Sequence, residues 1–561
     1  MKPKSLGLAA AAVALLLLGG CHALAAMEPE PEPIVIGTAS GLSGFDPAGT
    51  YDSGSLAVYN NIYQALLTFD AGSPVPRADA AKECGFTDSA LTTYRCELRD
   101  DLVFSHGRPV TPMAVKHSFE RILRISHPLG PRTLFGNLRS VEARDSLVTF
   151  HLSAPDATWP HKIATGAGSI VDPAEFPLDR LRTDGKTVGS GPYVVSAHTE
   201  GKAVDLEPNP TYKGAVKRQG IPIRVRFYPT AQDVGTAWKA RTIDVAYSGL
   251  PSASLAEIDP ADPELRLSIG EGTHARYLAI NLRSPSSPLT KLAVRRAVAA
   301  LVDRGRLAAE VFAYTVTPLY SLVPQGITGH DTAFLDEYPE ADSRYAAQRL
   351  RSARITLPVP ITLGHQNGPA AMEAKELKRQ LEKNRLFKVE LVEEADWNTY
   401  QKRCERGEFD AFTTAWAPDF LDPDTFVQPL VGTRNTVHNG YTSAEVDKAI
   451  QDTQRHADRG ETIPQFLAIQ RTVARDVPLI PLWQKKNYVV TRATVTGGHH
   501  LAEGNGIWAC GNWDGTEAAE RRPSGPPDAA QAVRARCGSP GLLRMPGRGP
   551  LRCDPRPSLR P

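Results

Sequence analysis

The sequence predicts an α/β fold divided between more than one domain, and three observations carry that expectation. In the second half, a strand pattern at 361–363, a helix pattern at 370–384 and a strand pattern at 389–392 make a βαβ unit. Ala370, Ala374, Leu377 and Leu381 recur there on one helical stripe. Between 68 and 184, by contrast, hairpin patterns surround a single clear helix. A chain of 561 residues is also longer than one hydrophobic core serves. An apolar content of 41% and a charged content of 22% fit a globular protein in water. A formal charge of +2 gives no reason to expect nucleic acid or an anionic membrane surface as partner.

The first stretch is an address. Lys2 and Lys4 precede an apolar run at 6–18, which is too short to span a bilayer and reads as a signal-peptide core. The run ends L-G-G-C, which looks like a lipobox. It makes 1–20 the signal peptide and Cys21 the lipid-modified first residue of the mature chain. An ordinary signal peptide with an incidental cysteine is the alternative. The tether 21–33 ends in E-P-E-P-E-P, whose alternating prolines favour an extended polyproline II form.

Export permits disulfides. Cys84 and Cys96 flank C-G-F-T-D-S-A-L-T-T-Y-R-C, centred on the turn-like residues 88–90, so they should face each other across two antiparallel strands. A bridge closing that loop would stabilise by about 3 kcal/mol. Cys404 and Cys510 could form a second bridge, which sequence alone does not establish.

Taken in order, the mature chain opens with a strand at 34–39 and an amphipathic helix at 55–67. A helix at 112–125 has Thr111 as N-cap and Pro112 in the first position. Residues 148–152 alternate as a strand should. G-S-G-P-Y-V-V-S at 189–196 is a glycine turn feeding a strand, and strands follow at 204–208 and 224–228. A strand at 277–282 leads to a helix at 292–301 with Val294, Ala297, Val298 and Leu301 on one face. With the βαβ unit and a strand at 410–415, these elements predict a lobe built on a largely parallel sheet. Thr442 and Glu445 read as a capping box, which gives the neighbouring Tyr441 no site role. From about Glu517 the chain turns to Arg, Pro and Gly, and 515–561 is expected to be a disordered tail in which Cys537 and Cys553 are incidental.

Chemistry concentrates in W-A-P-D-F-L-D-P-D-T-F at 416–426. Asp422 can cap the helix that starts with Pro423, and Asp424 falls in its first turn, where the helix dipole favours negative charge. Asp419 is left over, beside Trp416 and Phe420, as a carboxylate suited to a cationic group of a ligand. His365 follows the strand at 361–363 as Asp419 follows the strand at 410–415. Both therefore lie at carboxyl ends of strands, where open α/β sheets bind ligands. His365 can equally be an ordinary loop histidine, and Trp416 can pack rather than wall a ligand.

Other motifs fall away. G-E-G-T-H-A at 270–275 has dinucleotide spacing but leads into a strand rather than a helix, so no cofactor is expected. The adjacent pair His499 and His500 lacks further metal ligands, and the three aspartates lack the glycine and terminal glutamate of a calcium loop. No metal site is expected. No G-x-S-x-G, phosphate-binding loop or H-E-x-x-H supports an enzyme.

Several stretches together resemble one family. They are L-R-D-D-L-V-F-S-H-G-R-P-V-T at 98–111, G-S-G-P-Y at 189–193 and L-E-P-N-P-T-Y-K-G at 206–214. V-R-R-A-V-A-A-L-V-D-R at 294–304, the 416–426 loop and N-G-Y-T-S-A-E-V-D-K-A-I at 439–450 complete the set. In this order they resemble the extracellular solute-binding proteins of peptide and nickel ABC importers, the large bilobal type known as family 5. The resemblance implies a periplasmic-binding-protein-like fold (type II) with two crossings between lobes and an extra domain inserted in the first. On that basis lobe I is 34–67, 187–275 and 487–514, the insert is 68–186, and lobe II is 276–486. It implies a monomer that captures a di- or oligopeptide and hands it to a membrane permease and ATPase. Asp419 matches the position that holds the peptide α-ammonium group. Some relatives hold the ligand carboxylate with a basic residue just before the tryptophan. Here that stretch is Thr413, Thr414 and Ala415, which leaves peptide length and identity open. Nickel complexes, oligosaccharides and a peptide-sensing role without transport remain alternatives.

Overall fold

The computed structural model describes residues 31–498 apart from 71, 217–219 and 248, together with the backbone of 514–515. The signal peptide, Cys21, most of the tether, His499, His500, Cys510 and the tail beyond 515 lie outside the described residues.

Two long antiparallel strands, Leu265–Ile280 and Leu479–Arg492, form the middle of an 11-stranded sheet that runs through both lobes. At one end of this ribbon, Val245–Tyr247 pairs with residues 489–491. Val245–Tyr247 also runs parallel to Ile34–Thr38, which runs parallel to Ile223–Phe227. Antiparallel strands Ala203–Pro208 and Tyr193–Thr199 complete this first lobe's edge. At the other end, residues 275–280 pair with Ala411–Trp416. Ala411–Trp416 lies parallel to Val359–His365, which lies parallel to Phe387–Glu393. The sheet is therefore mixed rather than largely parallel. Parallel pairing is kept where helices connect neighbours, and the antiparallel ribbon carries the chain from lobe to lobe.

The ribbon's register slips between Glu271 and Ala275 and again between Arg276 and Tyr277. Gly272 lies there because a Cβ would come within 2.1 Å of the Lys485 carbonyl oxygen. The strand expected at 277–282 in fact begins at Leu265 and contains the whole G-E-G-T-H-A motif. That motif is a strand irregularity.

A separate four-stranded antiparallel sheet follows the order Ala81–Phe86, Thr93–Leu98, Leu147–Leu152, Leu138–Arg144. Cys84 and Cys96 are direct partners in its first ladder, with Cα atoms 4.1 Å apart, and are joined by a disulfide. The helix Pro112–Ile125 packs on this sheet, its first turn capped by the Thr111 hydroxyl, which accepts from the Ala114 amide at 3.2 Å. Beneath it Phe119, Phe135, Phe150 and Trp159 meet edge-on or tilted, with centroids 4.9 to 6.4 Å apart. Arg121 and Asp46, both buried, form a two-pronged pair at 2.9 and 2.7 Å that ties this helix to the first lobe.

The helix expected at 55–67 is shorter, Ser53–Ile62, and Leu67 belongs to the strand Leu67–Phe69. Its end is pressed by the G-S-G-P-Y turn. A Cβ on Gly189 would lie 1.9 Å from the Ile62 carbonyl oxygen, and one on Gly191 would lie 2.6 Å from that of Asn61. Those glycines are there for close approach. In the second lobe the helix Pro369–Glu382 buries Ala374, Leu377 and Leu381 as its stripe predicts. Cys404 lies buried and unbridged on the helix Trp397–Glu405. The helix Ala444–Thr453 is capped by Ser443 rather than Thr442, while Glu445 accepts from the Thr472 hydroxyl at 3.4 Å. No helix of the described residues is long and apolar enough to cross a membrane.

Candidate functional site

The 416–426 loop leaves the carboxyl end of the strand Ala411–Trp416 and enters the helix Asp424–Val431. Three sets of bonds hold it. The Trp416 indole N–H donates to the Thr425 carbonyl at 2.6 Å, folding the helix start back onto the strand end. The Thr425 hydroxyl donates to the Asp422 carbonyl at 2.8 Å. Arg459 donates to both carboxylate oxygens of Asp422, at 2.7 and 3.0 Å. Asp422 is therefore not the residue immediately before the helix. It lies one position earlier, accepts from the Asp424 amide at 2.9 Å and neutralises Arg459.

Asp419 stands at the crest of this braced loop and meets the first lobe. The Tyr51 hydroxyl donates to Asp419 Oδ1 at 2.8 Å, across 368 positions of sequence. Burial, then the adjacent Asp419 carboxylate, pushes the Tyr51 phenol well above its usual range, so it remains a neutral donor. Burial raises the Asp419 carboxyl above the ordinary carboxylate range, opposed by the Tyr51 hydrogen bond and the Lys162 charge. Among the described residues, no ion pair involves Asp419.

The short helix Trp159–Ile163 supplies the facing wall, held by the burial of Trp159 in the aromatic core. Its Lys162 pairs with Asp156 at 2.6 Å. Its His161 ring faces Phe420, with centroids 5.4 Å apart, and burial lowers its pKa, so the ring stays neutral near pH 7. The Ala157 amide donates to the Gln454 carbonyl at 3.0 Å, and the Thr315 hydroxyl donates to that of Ser252 at 2.8 Å. The lobes are thus in contact through Tyr51 and Asp419 and at these two further points. Asp424, 8% exposed, has no hydrogen-bond partner on Oδ1. Burial, reinforced by Asp422, pushes its carboxyl up to about 6, against the pull of Lys162 and Arg459.

Of the three residues expected at the site, Asp419 and Trp416 lie on the same loop, with Trp416 partly buried against the second lobe's core. His365 ends the neighbouring strand Val359–His365, which pairs with Ala411–Trp416; it is 3% exposed, and its Nδ1 lies 2.8 Å from the Gln366 carbonyl oxygen. Thr413, where a basic residue was sought, is buried and accepts from Arg276, itself paired with Glu373 at 2.9 Å. Tyr51, His161, Lys162 and Arg459 are absent from the sequence-based site. Each comes from a distant segment, and no local pattern marks it.

Comparison with known proteins fits this geometry. Residues 76–437 match the model of the bacterial extracellular solute-binding proteins, family 5. The Escherichia coli protein described as "Probable D,D-dipeptide-binding periplasmic protein DdpA" is 26% identical over 483 residues, covering 83% of this chain and 90% of its own. The Pseudomonas aeruginosa di/tripeptide-binding protein 2 is 25% identical over 519 residues, covering 86% and 95%. The solved periplasmic binding protein DppA of Helicobacter pylori, in complex with the peptide STSA, superposes with a TM-score of 0.73 at 19% identity, covering 87% and 98%. The match spans more than half the sequence, and the chain belongs to the family 5 bacterial extracellular solute-binding proteins.

Proposed function

We propose that this protein captures peptides between its lobes outside the cytoplasm and delivers them to the permease and ATPase of an ABC importer. Asp419 is the residue that takes the peptide's α-ammonium group, and Trp416 lies beside it. The observation that carries this reading is the state of Asp419. It is a desolvated carboxylate on a rigid loop, its partner is a neutral phenol, and no cation among the described residues pairs with it. Family membership and the peptide-binding descriptions of the relatives support the same assignment. The L-G-G-C ending supports attachment to the outer face of the cell membrane through Cys21. His365, buried at the end of the neighbouring strand Val359–His365, carries no part of this argument. A nickel complex or an oligosaccharide is the second reading, favoured by the lack of a basic residue at 413–415.

Mass spectrometry of small molecules that co-purify with the protein identifies the solute, and calorimetry with that solute measures Asp419. A charge-assisted hydrogen bond contributes about 1.5–3 kcal/mol net. A ligand cation left buried without its partner costs roughly 3–5 kcal/mol. Asp419→Ala should therefore weaken binding by about a hundredfold or more. Wild-type affinity in that variant, or a co-purified solute without a cationic group, would sink the assignment.

A further inference from the structure

The second lobe carries a basic groove whose charge nothing in the chain neutralises. Residues 343–354 contain Arg344, Arg349, Arg351 and Arg354 and no acid, and residues 383–388 contain Lys383, Arg385 and Lys388 and no acid. The whole chain has a formal charge of only +2, so these cations are a local concentration. Among the described residues, none of them is in an ion pair. The acids flanking the two segments are engaged elsewhere. Asp342 caps a helix, accepting from the Arg344 and Tyr345 amides at 2.8 and 3.0 Å. Glu382 accepts from the Val389 amide at 2.8 Å and pairs with Lys378 at 3.4 Å. Arg379 and Arg403 of the same lobe do have partners, Glu376 at 2.5 Å and Glu408 at 2.8 Å.

The fold gathers these segments into one concavity. The helix Ser343–Ser352 buries Ala346 and Leu350, which leaves Arg344, Gln348 and Arg351, spaced four and three residues apart, together on its outer side. The Val359 amide donates to the Leu386 carbonyl at 2.9 Å and brings the second segment alongside. Arg344, Gln348 and Arg351 line a groove of about 530 Å³ with Ser343, Asn384 and Leu386, and no acidic residue lines it. That volume is within the range of small-molecule sites. Arg344 and Arg351 repel each other across it, and an anion would reverse the sign of that interaction.

The groove is remote from Asp419. It adjoins the start of the strands Val359–His365 and Phe387–Glu393, which run parallel. The Asp419 loop follows the far end of Ala411–Trp416, which runs parallel to Val359–His365. A strand of seven residues puts the two sites about 20 Å or more apart.

We propose that this groove binds a phosphate-bearing polyanion, separately from the solute cleft. Guanidinium forks match phosphate oxygens two at a time. A phosphate presents more acceptor oxygens than a carboxylate, and the hydroxyl of Ser343 and the amides of Gln348 and Asn384 supply neutral donors beside the two arginines. The surrounding cations at 349, 354, 383, 385 and 388 favour a ligand with more than one negative charge.

The test is calorimetric titration of the full-length protein at low salt, where surface charge is least screened. The probes are inorganic tripolyphosphate, dihexanoyl phosphatidylglycerol below its micelle concentration, the matching phosphatidylcholine, and citrate. Wild type should bind tripolyphosphate at one site. Replacing Arg344 and Arg351 together by alanine should weaken that binding about tenfold or more, whereas Arg379→Ala should leave it unchanged. Both arginines are exposed, so the double variant should fold as wild type does. Phosphatidylglycerol binding that the double variant loses, with none of phosphatidylcholine, assigns the groove to a lipid headgroup; tripolyphosphate binding alone assigns it to a soluble polyphosphate. Binding of neither phosphate probe, or binding that survives in the double variant, overturns the site. Equal affinity for citrate overturns the phosphate assignment. Each of these failures leaves the peptide reading standing, because the solute cleft is not involved.

Discussion

Replacing Asp424 by Asn should stabilise the protein at neutral pH and do nothing at acid pH. The native carboxyl titrates at about 6, against an ordinary value of 3.8, chiefly because burial disfavours its charged form. Every tenfold change in proton affinity corresponds to about 1.36 kcal/mol, so ionised Asp424 costs the folded state about 3 kcal/mol. The helix start, which favours negative charge by about 0.3–1 kcal/mol, does not cancel that cost. The sign follows from the raised pKa. Well below pH 3.8 the group is protonated in both folded and unfolded chains and costs nothing. As pH rises from about 4 through about 6, the unfolded chain releases its proton first, and the native state loses stability. The gain from Asp424→Asn should therefore vanish well below pH 3.8, grow between about pH 4 and 6, and reach its plateau above pH 7. With an unfolding entropy of about 2.1 cal/mol/K per residue, a chain of this length shifts by roughly 1 °C per kcal/mol. Calorimetric melts of unliganded protein from pH 3.5 to 8 should show the difference opening to about 3 °C. A difference that does not change with pH, or a variant less stable than wild type at pH 8, would refute the reasoning.

Three further outcomes are expected. Replacing both Cys84 and Cys96 by serine should lower stability by about 3 kcal/mol, measured by denaturant unfolding, because the bridge closes a short loop; mass mapping of the exported protein should find the two linked. Arg459→Met should cost roughly 3–5 kcal/mol by stranding buried Asp422, and should also weaken solute binding by loosening the loop under Asp419. Cys21→Ala should release the protein from the membrane fraction or stall its precursor, and a correctly processed variant that still sediments with membranes would remove the lipid-anchor reading.

What the sequence disclosed was local. Thr111 and Pro112 open a helix with their own chemistry, and the helix is where they put it. The Cys84 and Cys96 spacing needs only a centred turn to place them opposite each other. The stripe of Ala374, Leu377 and Leu381 needs only the helical period. The long strand Leu265–Ile280 was partly hidden because Gly270 and Gly272 lower strand propensity and the register slip breaks its alternation. The cap at Ser443 was misplaced by one residue because Thr442 offers an equivalent hydroxyl. The site was half legible. W-x-x-D singled out Asp419, but nothing near it announces Tyr51 or Lys162, whose meeting with the loop depends on how the lobes fold and close. His365 stands at a strand end, as its position after 361–363 implies, and is buried there.

Three carboxylates within six residues have three different fates, and the fates follow from what the fold supplies to each. Asp422 receives an arginine and becomes a brace. Asp419 receives a neutral hydroxyl, and Asp424 receives nothing at Oδ1. The brace fixes the loop before any ligand arrives, so little ordering cost falls on binding. The same arrangement makes closure depend on charge. On the proposed reading, water solvates Asp419 and Asp424 while the lobes are apart. Closing the lobes would then remove that water, and the burial raises both carboxyl pKa values and disfavours an empty closed state, against the pull of Lys162. A cation bound at Asp419 restores what the lost water supplied, and its attraction strengthens as the surroundings become drier. On the proposed reading, ligand charge and lobe closure are therefore linked: a solute without a positive group gains little from closing the lobes, and a cationic one gains more.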